Sequence, residues 1–295
     1  MLDLLYINWH VDPVIFHIGN FGIRWYSLLF CAGFFLGWYI FRYFFRREGV
    51  NENLLDPLLY TLVFGTLIGA RLGHCIFYDP AYYFGTKEGF WEIFMPWKGG
   101  LASHGGAIML FLCMIWFARK YGPKNGFDLV WLLDHLCIAV AFAACFIRLG
   151  NLFNSEIYGP VTSMPWGVIF ELRGETEPRH PTQMYESITY LILGLFLMWL
   201  YKKKLDKVYR GTFIGLFFII CFGMRFIIEF VKEADIRFEH FFNINIGQML
   251  SIPFILMGIG FLIYAFVKKQ PAYVVHEEPK KAPKEETHYA KPLNR

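Results

Sequence analysis

FDLVWLLDHLCIAVAFAACFIRLGNLFNSEIYG, Phe127 to Gly159, decides how this chain is read. Up to Ile147 the stretch is almost wholly apolar, and as a helix rising about 1.5 Å per residue it is long enough to cross the roughly 30 Å hydrocarbon layer of a bilayer. At Arg148 the character changes abruptly. Gly150 and Gly159 bracket Asn151, Asn154 and Glu156, so an arginine, two amides and a carboxylate stand together where the apolar run ends.

The rest of the chain fits the same solvent. Of 295 residues 56% are hydrophobic and 20% aromatic, too apolar for a soluble domain of this length. The net charge of +4 comes from short basic clusters between apolar runs, not from one basic stripe, so nucleic acid is not an expected partner. All the cysteines lie inside apolar segments and read as packing residues rather than a disulfide framework. The start MLDLLYINWHVDPVIF lacks a basic region ahead of a short apolar core, so no removable signal peptide is expected.

Stretches near spanning length run from Trp25 to Phe41, Pro57 to Phe77, Gly105 to Ala118, Phe127 to Ile147, Met184 to Tyr201, Gly211 to Phe230 and Ile246 to Val267. A span must satisfy its own backbone hydrogen bonds, and no alternating barrel pattern occurs, so the expected fold is an all-α polytopic membrane protein with about seven transmembrane helices. Basic clusters at Arg42, Arg46 and Arg47, at Arg119, Lys120 and Lys124, at Lys202 to Lys204 with Lys207 and Arg210, and at Lys268 and Lys269 mark the cytoplasmic side. That places the N-terminus outside and the C-terminus inside. The exported loops near Asp79 to Ser103 and Arg148 to Thr182 are expected to build a small extracytoplasmic head. Residues 1–269 form the transmembrane domain on this reading, and 270–295, charged and proline-containing, a disordered cytoplasmic tail.

An ionisable side chain inside a span costs about 2.5 to 3.5 kcal/mol on insertion scales, so each calls for a partner or a function. With the orientation above, Tyr26, Arg71, His104, Arg148, Tyr185, Glu186, Arg225, Glu229 and Gln248 all fall in the outer ends or outer halves of their helices. Arg225 and Glu229 are spaced to pair across one helical turn, as a structural ion pair or a functional one. The mixture beside Arg148 suits an anion: an arginine fork for a phosphate, amides for further hydrogen bonds, a carboxylate to orient the arginine. His104, in WKGGLASHGG, precedes a helix whose N-terminus attracts anions. Asp134 and His135 are expected to bond to neighbours, and Asp56 before Pro57 reads as a helix start. No metal-ligand spacing, P-loop or serine-protease motif occurs, so no cofactor or metal is expected.

These residues resemble the bacterial prolipoprotein diacylglyceryl transferases. The likeness runs through IRWYSL at Tyr26, GARLG at Arg71, WKGGLASHGG at His104, RLGNLFNSEIYG, HPTQMYE with Gln183, Tyr185 and Glu186, MRFIIEF, and NIGQMLS at Gln248. Ile147 stands where a glycine is usual, Leu152 where phenylalanine is, Ser27 where glycine is, and Cys221 where tyrosine is frequent. The resemblance implies an enzyme of the bacterial cytoplasmic membrane that moves the diacylglyceryl group of phosphatidylglycerol to the lipobox cysteine of a signal-peptide-bearing prolipoprotein, releasing glycerol phosphate. It marks Tyr26, His104, Arg148, Asn151, Glu156, Gly159, Arg225 and Glu229 as functional. Arg71, Asn154, Gln183, Tyr185, Glu186 and Gln248 are expected to line the substrate site. His104 is the expected base, Arg148 and Arg225 the phosphate holders, Glu156 and Glu229 their orienting partners, Tyr26 and Asn151 the headgroup contacts. An anionic-lipid transporter or flippase would use the same arginines without a base, and would need polar residues toward both faces of the membrane. A membrane scaffold would scatter them.

Overall fold

The computed structural model describes residues 6–19, 21–231 and 246–274. Among them are nine α-helices and four short strands, in the order β1 (Ile7–Trp9), β2 (Val14–Ile18), β3 (Phe21–Arg24), α1 (Trp25–Glu48), α2 (Leu55–Phe77), α3 (Pro80–Gly85), α4 (Lys87–Glu92), α5 (Ser103–Asn125), α6 (Leu129–Phe153), β4 (Val168–Phe170), α7 (Thr182–Lys204), α8 (Thr212–Ile228) and α9 (Ile246–Lys268). Each stretch expected to span overlaps one of the long helices, although α6 begins only at Leu129 and α8 covers only Thr212–Ile228 of the 211–230 stretch. Helices α1, α2, α6, α7 and α9 are long and apolar enough to cross a membrane. The chain is an all-α polytopic membrane protein. Helix α8 has only 17 residues. Helix α5 carries Arg119, Lys120 and Lys124 in its last two turns, which confines its apolar part to 105–118.

The bundle has two walls. Helices α1, α6, α7, α8 and α9 form a continuous series through the α1–α6, α6–α7, α7–α8 and α8–α9 interfaces, while α2 and α5 pack chiefly on each other. Glycine sets the closeness of that second pair: a Cβ on Gly73 would lie 2.6 Å from the Cα of Gly105. The Ala102 N–H also donates to the Ala70 carbonyl at 2.9 Å, fixing the entry to α5 against α2. Between the walls runs an apolar cavity of about 200 Å³, lined among others by Phe30, Phe34, Thr66, Leu110, Val140 and Ile147.

At the end where α1 begins, β1 pairs in parallel with β4, matching Ile7 to Val168 and Trp9 to Phe170, and β2 and β3 form a hairpin leading into α1. The 154–181 segment is folded onto this end. The expected loop from Arg148 is corrected: α6 does not stop at Ile147 but continues to Phe153, so the Arg148–Asn151 pair stands on helix rather than in a turn. Leu152 packs with Val168 and Phe170 in a small apolar cluster, which gives the extra turn a buried face.

At the opposite end Glu48 is buried and accepts from Trp131 Nε1 at 2.7 Å, Tyr201 Oη at 2.7 Å and the Val274 N–H at 2.9 Å, and pairs with His135 Nε2 at 2.6 Å. Asp134 caps α8 from a distance, accepting from the N–H groups of Gly211 at 2.6 Å and Ile214 at 2.9 Å. Asp134 and His135 do bond to neighbours. The tail boundary moves: residues 270–274 are packed, with Ala272 and Val274 buried and the Ala272 N–H on the Val208 carbonyl at 3.0 Å. The remainder, 275–295, lies outside the described residues.

Candidate active site

The last turns of α6 place Arg148 and Asn151 three residues apart on one face, and Arg148 Nη1 donates to Asn151 Oδ1 at 3.1 Å. The Asn151 amide passes the contact on: its Nδ2 donates to Glu156 Oε1 at 2.8 Å, and Asn154 Nδ2 reaches the same oxygen at 3.1 Å. Glu156 is set there by unusual backbone. Its neighbours Ser155 and Ile157 have φ of 52° and 61°, the left-handed region that a β-branched residue adopts only under constraint.

The constraint is visible. The carbonyls of Asn154 and Ser155 accept from Arg173 at 3.1 and 3.0 Å, that of Glu156 from Gln183 Nε2 at 2.6 Å, and that of Ile157 from Thr182 Oγ1 at 2.8 Å. Four successive carbonyls are thus held by side chains from elsewhere, two of them from the first turn of α7. One turn further along α7, Glu186 forms an ion pair with Arg148 Nε; the carboxylate is 1% exposed and the guanidinium side chain 16%. Sequence reasoning assigned the orientation of Arg148 to Glu156. Glu186 does this directly, and Glu156 acts on Arg148 only through Asn151, whose amide therefore links two partners instead of facing a headgroup.

Tyr26 enters from the first turn of α1. A Cβ at position 150 would come within 2.8 Å of its ring, so Gly150 is what lets the phenol lie against the α6 backbone. The phenol stands in the fields of both Glu156 and Arg148. The apolar cavity begins one step inward, with Phe30 a turn beyond Tyr26 and Ile147 adjoining Arg148.

Other expected site residues go elsewhere. Arg71 is 4% exposed, and its guanidinium is occupied by main-chain oxygens of Ile93 at 3.2 Å, Gly99 at 2.6 Å, Gly100 at 3.1 Å and Glu92, beneath the Tyr83 ring at 5.0 Å. It pins the α3–α4 segment and the loop before α5, and does not join the Arg148 network. Tyr185 Oη accepts from Trp166 Nε1 at 2.8 Å and lies 3.0 Å from His180 Nδ1, bracing the 154–181 segment. Gly159 ties the same segment together, its N–H donating to the His180 carbonyl at 2.8 Å. Burial pushes the His180 imidazole below its ordinary range. His104 is exposed in the first turn of α5, and no contact among the described residues joins it to Arg148.

Arg225 and Glu229 keep their one-turn spacing: α8 ends at Ile228, and the N–H of Glu229 at its C-cap still donates to the Arg225 carbonyl before the chain tightens into a 3-10 turn at Glu229–Val231. The Glu229 carboxyl is directed at Gly247, where an added Cβ would lie 2.3 Å from it. Gln248, buried beside it on α9, donates to the Phe226 carbonyl at 3.4 Å. Arg225 Nε is buried without a hydrogen-bond partner among the described residues. Two residues that the expected site did not include are also near: Tyr190 and Cys221 are buried and stand in the fields of Arg148, Glu186 and Arg225. The available signal was position, one turn after Glu186 and one turn before Arg225.

A helical membrane bundle with a largely buried arginine and carboxylate centre, one residue along α6 from the lining of an apolar cavity, fits an integral-membrane enzyme for amphiphilic substrates. The family model for prolipoprotein diacylglyceryl transferase matches residues 13–264, and the chain belongs to that family. A phosphatidylglycerol–prolipoprotein diacylglyceryl transferase of Bacteroides fragilis is 43% identical over 278 residues, covering 90% of this chain and 98% of its own length. The Tolumonas auensis protein of that name is 41% identical over 261 residues (88% and 98%), and the Porphyromonas gingivalis one 39% over 275 residues (88% and 95%). The chain is a transferase.

Proposed function

We propose that this enzyme transfers the diacylglyceryl group of phosphatidylglycerol to the thiol of a lipobox cysteine in a signal-peptide-bearing prolipoprotein, giving a thioether and glycerol phosphate. The observation that carries the reading is the place of Arg148: a guanidinium fixed by Glu186 and Asn151, next along α6 to Ile147 in the lining of an apolar cavity. A phospholipid has the matching shape, with a phosphate for the arginine and acyl chains for the cavity.

A cysteine thiol with an ordinary pKa near 8.5 needs a base near neutrality. His104, on the α5 wall across the cavity from α6, accepts that proton. The thiolate then attacks the glycerol carbon bonded to the phosphate oxygen; a C–S bond forms, the C–O bond breaks, and its electron pair leaves with glycerol phosphate. The phosphate goes from one negative charge to two as the thiolate charge disappears. Arg148 and Arg225 stabilise this growing charge in a site of low dielectric. Arg225, with its buried Nε unpartnered among the described residues, has capacity for it. Tyr26 donates to the headgroup, and Glu156 with its two amides keeps the rim in place. Glu229 and Gln248 hold the start of α9 near Arg225. The cavity lining is apolar apart from Thr66, which suits acyl chains and offers no polar path for translocating a headgroup.

In the proposed topology all seven long helices span a bacterial cytoplasmic membrane. Basic residues at the α1-exit end, among them Arg46, Arg47, Lys124, Lys203 and Lys268, face the cytoplasm, and the Arg148 site faces out. The test is purified enzyme with phosphatidylglycerol vesicles and a lipobox peptide. A peptide mass raised by one diacylglyceryl group is expected, with release of glycerol phosphate. Movement of lipid between leaflets without peptide modification would replace this reading by a flippase.

A further inference from the structure

Beneath the two arginines lies a polar pair that the mechanism above leaves unused. Tyr190 is 7% exposed and Cys221 is 8% exposed, in helices that are otherwise apolar at this depth. Tyr190 is one turn from Glu186 on α7, and Glu186 is ion-paired with Arg148 of α6. Cys221 is one turn from Arg225 on α8. Since α7 packs against both α6 and α8, the phenol stands where the two arginine-bearing helices are brought together. Its electrostatic neighbours are Cys221, Glu186, Arg148 and Arg225.

A hydroxyl so placed has an alternative to sulfur. Thiols are weak hydrogen-bond partners, whereas a phosphate oxygen is a strong acceptor, and a phenol adds a donor without adding charge. Arg148 already has a carboxylate partner, so a phosphate between the guanidiniums has room for a neutral donor on its inner side.

We propose that Tyr190 is a further substrate-binding residue: its hydroxyl donates a hydrogen bond to the phosphate held between Arg148 and Arg225. The inference rests on the reading of those arginines as the phosphate holders. Because the phosphate gains charge as the C–O bond breaks, the bond strengthens toward the transition state and Tyr190 acts mainly on kcat. The adjoining position 221 could carry the same hydroxyl from the facing helix.

The experiment compares full-length enzyme with Tyr190→Phe, Tyr190→Cys/Cys221→Tyr, Arg148→Lys and Arg225→Lys, using phosphatidylglycerol vesicles and a lipobox peptide, with thermal unfolding of each purified variant. Tyr190→Phe keeps the ring and is expected to fold as well as the parent, with kcat about tenfold lower and KM for the lipid changed less than threefold. The exchange variant returns a phenol from α8 and is expected to recover kcat to within about threefold of the parent. Parental kcat in Tyr190→Phe, with Arg148→Lys impaired, overturns the role of Tyr190 alone. So does a Tyr190→Phe loss matched by its loss of folded protein, or a well-folded exchange variant that recovers nothing. Full rates in both lysine variants overturn the phosphate-holding reading, and this inference with it.

Discussion

Gln183 donates from the first turn of α7 to the main-chain carbonyl of Glu156 at 2.6 Å, 27 residues back along the chain. With Thr182 on the next carbonyl, it secures the left-handed residues either side of Glu156. Replacing Gln183 with Leu keeps the volume and leaves a buried carbonyl without its donor, a cost of about 1 to 3 kcal/mol. The variant is expected to melt earlier and to lose turnover, because the Glu156 carboxylate is no longer fixed on Asn151. Thermal unfolding and rate, measured on the same preparation, check both.

Arg148→Lys preserves the charge opposite Glu186 but not the fork that reaches Asn151 while still offering donors to a phosphate. A fall in kcat of about a hundredfold or more is expected. A lysine variant within a few fold of the parent would show that point charge suffices.

Asn151→Asp sets a carboxylate where an amide now donates to Glu156 at 2.8 Å. Two carboxylates at that distance share a proton, which raises the apparent pKa of the pair. Activity is expected to be lost at alkaline pH and to return in part as pH falls, while the parent shows no such acid gain. A pH profile of kcat for the two proteins distinguishes them.

Acid stability has a local contributor in the 154–181 segment. Glu175 accepts from Tyr158 Oη at 2.7 Å and Arg179 Nε at 2.6 Å, and the Tyr158 bond first, then Arg179, holds its carboxyl below the ordinary 4.5. Since the folded value is the lower one, the contribution is present above pH 4.5 and fades as pH drops below it toward the folded value. Glu175→Gln is expected to melt earlier at neutral pH and to lose less across that acid interval, by unfolding temperature against pH.

The helical plan was legible because a span leaves a length and composition that nothing else imitates. The site was legible where its members crowd together, as Arg148, Asn151, Asn154 and Glu156 do. The main-chain role of Arg71 was not legible, because a buried arginine reads alike whether it serves a ligand or four main-chain oxygens. The Arg225–Glu229 spacing was legible because the helical bond from the Glu229 N–H to the Arg225 carbonyl persists at the end of α8. Tyr190 drew no expectation, since an aromatic inside an apolar run carries no mark of what its hydroxyl meets. Glu48 drew no expectation beside Arg46 and Arg47, because its partners come from α6, α7 and residue 274.

Residue 274 has a bearing on how the protein is made. Helices enter the bilayer in the order of synthesis, yet one donor to Glu48 follows all of them in the chain. The Glu48 end of the bundle therefore stays unlatched until translation has passed α9, and the last few residues described close it like a clasp. Fusions joined at 269 would interrupt that closure, while a tag placed beyond 274 leaves it whole.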